Sequence, residues 1–218
     1  MRRFKVIIFI ALALPSTALM AAGMGLHVPI SLHSTAVVDN DIYRSDTEEY
    51  DTDDVEYKTS FGKGITFDSN IGQNRIYNYR LSLETIRLKI DKINGKTCQG
   101  ECTSTRYNMV HTFGFGAIRN RDFRLWLGPR LNIAINEENG NSTNRQDDDV
   151  SSYVEIGLAA ALGANFNINR AFAIAVDIDY RTSLATVILE EDDDNDRDES
   201  VEGATIRVYA LFRFGERF

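Results

Sequence analysis

The chain is poor in several things at once, and each shortage closes off a class of protein. It has no apolar run long enough to cross a bilayer as a helix. The longest, Val6 to Leu14, stops at nine residues, whereas a membrane-spanning helix takes about 20. It has no excess of basic residues. With 24 Lys and Arg against 32 Asp and Glu the formal charge is −8, which excludes a nucleic-acid partner recognised through phosphate charge. Cysteine is nearly absent, with Cys98 and Cys102 alone, four apart in a Gly-containing segment. A metal site built on them needs a third and fourth ligand of matching softness, and neither His nor another Cys lies nearby in sequence. In an exported protein the pair reads as a local disulfide. Only three histidines occur, His27, His33 and His111, and none is accompanied by a serine nucleophile motif.

What is present begins with an address. Arg2, Arg3 and Lys5 precede the apolar Val6–Leu14 stretch, and Pro15 to Gly23 is rich in small residues. This is the layout of a cleaved secretory signal. Both Ser16-Thr17-Ala18 and Ala21-Ala22-Gly23 satisfy the small-residue rule, and cleavage near Ala21 or Ala22 is expected. Residues 1–22 are then the signal and 23–218 a single mature domain of roughly 200 residues.

Beyond the signal the dominant pattern has a period of two. Ile206, Val208, Ala210, Phe212 and Phe214 alternate with Arg207, Tyr209, Leu211 and Arg213, a strand with one greasy and one more polar face. Eight such segments are predicted: Leu26–Val38, Lys58–Asp68, Ile76–Ile93, Arg106–Ile118, Phe123–Asn136, Ser152–Asn165, Ala171–Leu189 and Ala204–Phe214. The connections alternate, with 39–57, 94–105, 137–151 and 190–203 long and 69–75, 119–122 and 166–170 short. An even-stranded barrel with short periplasmic turns and long extracellular loops produces this alternation. The expected fold is therefore all-β: a closed eight-stranded antiparallel up-and-down transmembrane barrel with four long extracellular loops, both termini periplasmic, and the first and last strands paired. A mean hydropathy of −0.26 does not oppose this, because barrel strands are only half apolar.

A soluble sandwich or lipocalin would also alternate, with its large apolar residues turned inward. The composition of the faces decides. Leu125, Leu127, Leu131, Ile133 and Ile135 oppose Arg124, Trp126, Gly128, Arg130 and Asn132, and Phe172, Ile174, Val176, Ile178, Tyr180 and Leu184 oppose Ala173, Asp177, Asp179, Arg181 and Ser183. An eight-stranded interior has room only for interlocked side chains. Small and charged residues inside, large apolar ones outside, is the membrane arrangement. In the third segment the apolar set shifts from odd positions (Tyr77, Tyr79, Leu81, Leu83) to even ones (Ile86, Leu88, Ile90). That requires either a bulge near Glu84 and Thr85 or a strand that has left the membrane, the reading preferred for Arg87, Lys89 and Asp91.

The predicted lumen carries Arg80, Arg124, Arg130, Arg181, Arg207 and Arg213 against Glu84, Glu155, Asp177 and Asp179. Buried charges must be paired, so these residues read as a salt-bridged plug; a conducting path for ions or small solutes is the alternative. His27 and His33 fall on the polar face of the first strand with Ser31, and His111 on the face of Met109, Phe113 and Phe115. Catalytic residues and cofactors are not expected, and a lipid-modifying rim enzyme would need a Ser or Asp beside His33. Of the 32 acidic residues, 24 lie in the long connections. A solvated, self-repelling loop accounts for them, and weak divalent-cation binding at Asp192, Asp194, Asp196 and Asp198 is the functional counterpart.

The architecture as a whole resembles the small eight-stranded outer-membrane barrels, the family of outer membrane protein X and the transmembrane domain of outer membrane protein A. Phe212, Phe214 and the terminal Phe218 resemble the C-terminal signal that such barrels present to their insertion machinery, with Glu216 departing from the usual bulky residue. The resemblance implies residence in the bacterial outer membrane, outer-membrane lipid and lipopolysaccharide as partners, and roles in membrane integrity, adhesion or host contact. No peptidoglycan-binding segment is expected after the last strand.

Overall fold

The computed structural model describes residues 23–44, 47–69, 76–98, 102–139, 152–188 and 197–214, with backbone alone for 38–44, 47–53, 138–139, 152, 185–188 and 197–200. Ten strands follow in order: β1 (Gly23–Arg44), β2 (Thr47–Lys58), β3 (Ser60–Asp68), β4 (Tyr77–Ile93), β5 (Lys96–Thr97), β6 (Thr103–Arg119), β7 (Phe123–Asn139), β8 (Ser152–Asn167), β9 (Phe172–Ile188) and β10 (Arg197–Arg213). β2 and β3 are one stave interrupted at Thr59, and β5 is a short return strand on β4. The staves therefore number eight. Every neighbouring pair is antiparallel, and β1 pairs with β10 from Gly23↔Arg213 to Asn40↔Arg197, which closes the ring.

The predicted segments are all present, and at the long-loop end they run further than expected. Stretches assigned to the loops 39–57 and 190–203 are in large part strand, because β1 pairs with β2 as far as Arg44↔Thr47 and with β10 as far as Asn40↔Arg197. A ladder partner satisfies backbone groups whatever the side chains prefer, so acidic composition did not stop pairing here. Asn94 and Gly95 both take positive φ, 51° and 71°, the Asn-Gly combination that a tight hairpin with native twist requires. Asn94 is tied to β2 from both sides: its Oδ1 accepts from Asp54 N at 2.9 Å and its N donates to Asp54 O at 2.8 Å. The Cys98–Cys102 disulfide closes the next excursion. Cys98 N donates to Asp91 O and Ile90 N to Cys102 O, both at 3.0 Å, so chain on both sides of the staple stays paired to β4.

At the opposite end the connections are short and locally capped. Asn120 Oδ1 accepts from Phe123 N at 2.6 Å, and Asn169 Oδ1 from Ala171 N at 2.8 Å. Above them runs a ring of aromatics: Tyr77 against Phe115 and Phe123 against Phe166, each with centroids 5.2 Å apart, and Phe172 against Phe212 at 5.7 Å. This is the girdle expected where a barrel meets one membrane interface. From there the outer wall is continuously apolar. Leu26, Ile65, Leu127, Leu158, Leu162, Ile174, Val176, Ile178 and Val208 all point out and are exposed, Leu127 to 53%. In water so extended an apolar belt would drive association; in a bilayer it is the required surface.

β4 carries no bulge at Glu84 and Thr85. Its register with β6 is unbroken from Tyr77↔Phe115 to Lys89↔Thr103, and with β3 from Gly62↔Ile86 to Asp68↔Arg80. From Asn78 to Leu88 the even positions all face inward. What changes is the surroundings: Ile86 and Leu88 are buried inside the barrel with Ala36, Tyr57 and Val201, and Val55 and Ile90 pack on them, while Arg87 and Lys89 are exposed outside. The strand has left the membrane. Bulges occur elsewhere, among them Ser31/Ser34 in β1 and Ile156/Gly157 opposite β9.

Candidate functional site

The lumen is built of stacked polar layers, each supplied by inward positions of several strands. Nearest the short-turn end Arg80 lies between two rings, 5.3 Å from the Trp126 centroid and 4.5 Å from that of Tyr209. It donates from Nε to Asp68 Oδ2 at 2.8 Å, from Nη1 to Asp177 Oδ2 at 3.1 Å and from Nη2 to Asn165 Oδ1 at 3.1 Å. Trp126, wholly buried, adds its Nε1 to the same Asn165 oxygen at 3.3 Å. The ring fits because β8 has no side chain opposite it: a Cβ on Gly163 would overlap the Trp126 indole.

The next layer is a charge lattice. Arg130 donates from Nη1 and Nη2 to the two oxygens of Asp177 at 3.1 and 3.0 Å, and from Nε to Thr112 at 2.8 Å. Arg207 grips Glu84 with Nε and Nη2, both at 2.8 Å, the bidentate form that holds a carboxylate most firmly. Asp179 accepts from both Arg130 and Arg207 and so joins the two halves. Tyr209 donates its hydroxyl to Asp177 at 2.7 Å, Asn108 donates to Glu84 at 2.8 Å, and His27 Nε2 meets Glu84 at 3.0 Å. Three arginines thus face four carboxylates, Asp68 included. One storey higher Arg106 pairs with Glu155 at 2.8 Å, Arg181 stands 3.8 Å from the same carboxylate, and Asn136 donates to it at 3.4 Å. The apolar cluster of Ile86, Leu88, Tyr57, Ala36 and Val201 caps the stack.

Of the ten lumen charges expected from sequence, Arg80, Glu84, Arg130, Asp177, Asp179 and Arg207 meet in one lattice, Glu155 and Arg181 form the storey above, and Arg124 is buried below, donating to Ile76 O at 3.3 Å. Arg213 does not belong. It is half-buried at the short-turn end and donates to Asn169 O at 3.2 Å, because β10 ends there and the lumen opens to solvent. His33 is likewise misplaced by sequence: the β1 bulge between Ser31 and Ser34 turns it outward and exposed. His111 lies on the outer wall, its Nδ1 2.7 Å from the Tyr79 hydroxyl. Phe212 and Phe214 are exposed on the outer wall as expected; Phe218 lies outside the described residues. So do Asp192, Asp194 and Asp196, while Asp198 lies on β10 opposite Asp39, rather than in a loop. The signal segment 1–22 is also outside the described residues.

Sequence reasoning missed Asp68, Arg106, Asn108 and Asn165, and placed His27 on the inward face without its partner. Asp68 and Arg106 stand at the ends of their predicted segments, where alternation is weakest as a guide. His27 shares a face with Ser31, which marked it as polar-facing; only barrel closure brings it to Glu84, 57 residues away.

No family model matches the chain, and no curated protein matches it in sequence. Among solved structures it is similar to the outer membrane protein OprG of Pseudomonas aeruginosa, with a TM-score of 0.55 at 13% identity over 90% of this chain and 99% of that one. It is also similar to the neisserial surface protein A (TM-score 0.41, 13% identity, 84% and 96% covered) and to the attachment invasion locus protein Ail of Yersinia pestis (TM-score 0.40, 16% identity, 88% and 99% covered). The likeness to OprG shows the fold, a closed β-barrel of eight staves of the kind found in outer-membrane proteins.

Proposed function

We propose that this outer-membrane barrel is sealed and acts through its extracellular end, as a structural and surface-interaction protein. The observation that carries the reading is the lumen lattice, in which Arg80, Arg130 and Arg207 are shared among Asp68, Asp177, Asp179 and Glu84 with no cross-section left to one sign of charge. A conducting pore is lined by rings of one sign around water. Interlocked opposite charges do the reverse, and the apolar cap formed by Ile86, Leu88 and Tyr57 adds a second barrier. Desolvating such charges contributes little net stability against a hydrophobic filling, so the lattice is better understood as closure than as a stability device. No catalytic group is assigned, because each carboxylate of the lattice accepts from a guanidinium. What remains for function is the outer crown: the β1–β2 hairpin, the disulfide-stapled β4–β6 connection and the acidic segments around them.

Planar-bilayer recordings of the purified protein test this. Conductance no higher than that of the membrane alone is expected. Stable single-channel currents whose selectivity changes in Arg130→Glu would overturn the sealed reading in favour of a narrow channel.

A further inference from the structure

One charged patch stands on the outer wall at the long-loop end, apart from the lumen. Lys58 of β2, Lys63 of β3, and Arg87 and Lys89 of β4 all point away from the barrel and are exposed. Lys58 stands directly opposite Lys89 in the β2–β4 ladder. Lys63 stands opposite Thr85, whose next outward neighbour on β4 is Arg87. Like charges facing each other across strands repel, so this grouping opposes folding unless something anionic covers it. Lys58 has Asp91 at 2.9 Å; Lys63 and Lys89 have no carboxylate partner among the described residues. In a chain of net charge −8 such a cluster is not the general character of the surface. At the same end on β9 and β10, with β1 between them and this patch, Glu202 accepts from the Tyr180 hydroxyl instead.

The height of the patch identifies its ligand. Directly toward the membrane from Lys63 and Arg87 on the same staves, the outward residues are Ile65 and Leu83, both exposed, with Tyr107 opposite Thr85 and Leu26 opposite Ile65; exposed Phe61 stands among the cations, between Lys58 and Lys63. The cations lie at the upper edge of the apolar wall, on the long-loop side of Ile65 and Leu83. A molecule covering both must join acyl chains to an anionic head. Lys and Arg side chains bind phosphate oxygens by charge-assisted hydrogen bonds, and cations beside a bilayer attract anionic headgroups.

We propose that Lys58, Lys63, Arg87 and Lys89 form a site for the phosphate groups of an outer-leaflet lipid whose acyl chains lie along the β3–β4 wall over Ile65 and Leu83. The site goes beyond the sealed-lumen reading and does not depend on it. Native mass spectrometry of the full-length protein in a neutral detergent tests it, with lipid A carrying both phosphates and lipid A stripped of them as probes. The phosphorylated form is expected to bind about a hundredfold more tightly, from additive contributions of cations at a membrane surface. The variant K63Q/R87Q/K89Q should lose that preference while keeping its heat-dependent gel mobility, and K63R/K89R should keep it. Equal binding of both lipids to the natural protein, or an undiminished preference in the triple glutamine variant, would overturn the proposal. Displacement of the lipid by an equal concentration of inorganic phosphate would overturn it too, by assigning the site to the free anion. If the triple variant does not fold, the two lipids compared on the natural protein decide alone.

Discussion

Within one strand, β4, the barrel turns itself inside out. Up to Glu84 the inward side chains are Asn78, Arg80, Ser82 and Glu84 and the outward ones include Tyr77, Tyr79 and Leu83; beyond it Ile86 and Leu88 face in, and Thr85, Arg87 and Lys89 face out. Backbone geometry is the same on both sides of the change, with one uninterrupted register to β6. The solvent differs. Where lipid surrounds the wall, large apolar residues belong outside and charges must pair within; where water surrounds it, the usual preference for an apolar interior returns. The belt is held by lipid and ion pairs, the crown by an ordinary hydrophobic core.

The largest expected effect attacks the belt from inside. Asp177→Ala removes the carboxylate shared by Arg80, Arg130 and the Tyr209 hydroxyl, leaving buried guanidinium groups short of a partner. A loss of about 3–5 kcal/mol is expected in a urea refolding titration in lipid vesicles; a cost below ~1 kcal/mol, the range of exposed pairs, would mean the lumen charges are solvated. From outside, Leu127→Arg should destabilise by about 2–4 kcal/mol. Its mirror in the crown, Arg87→Leu, should stay within about 0.5 kcal/mol. Similar costs for the two in the same titration would erase the distinction between belt and crown.

A smaller effect probes the crown's core. Leu88, 4% exposed beside Tyr57 and Ile86, when cut to Ala should cost about 2 kcal/mol, at the low end for buried leucine because the site is close to solvent. The loss should speed amide exchange in β2 and the upper part of β4 while leaving β7–β9 protected. Uniform loss of protection would show that belt and crown unfold as one unit.

The smallest concerns the crown's surface. The hydrogen bond from Lys58 Nζ holds the Asp91 carboxyl below the usual carboxylate range, aided by the charge of Lys58 and then Lys92. A carboxyl whose pKa is lower folded than unfolded stabilises fully above its unfolded value, ordinarily about 3.9, and that contribution disappears as pH falls through the lowered value. Amide exchange at Cys98, whose N–H bonds Asp91 O, should therefore show an added opening as pH drops below about 4. Asp91→Asn should remove that pH dependence. A profile unchanged by the substitution would disconnect this pair from the hairpin.

Much of this was readable from residue order. The eight staves, their faces at Leu125–Ile135 and Phe172–Leu184, the exposed Phe212 and Phe214, and the short-turn end all follow from period-two patterning. The misreadings have physical causes. Acidic residues in 39–57 looked like loop because strand preference is weak there, yet β1 supplies a ladder partner as far as Arg44. Alternation puts His33 on the polar face of β1, and the bulge that turns it outward is invisible until the strand is placed against β10 and β3.

The sequence by itself determined that the chain makes alternating strands, which side chains share a face, and that two nearby cysteines can staple one hairpin. These are local facts, set by the two-residue repeat of extended backbone. Only the closed ring decided which face looks inward at each height and which charges meet. Arg80 reaches Asp177 across 97 residues and Arg207 reaches Glu84 across 123. Such partners are chosen by register accumulated from strand to strand until β10 meets β1, and by whether lipid or water lies outside the wall at that level.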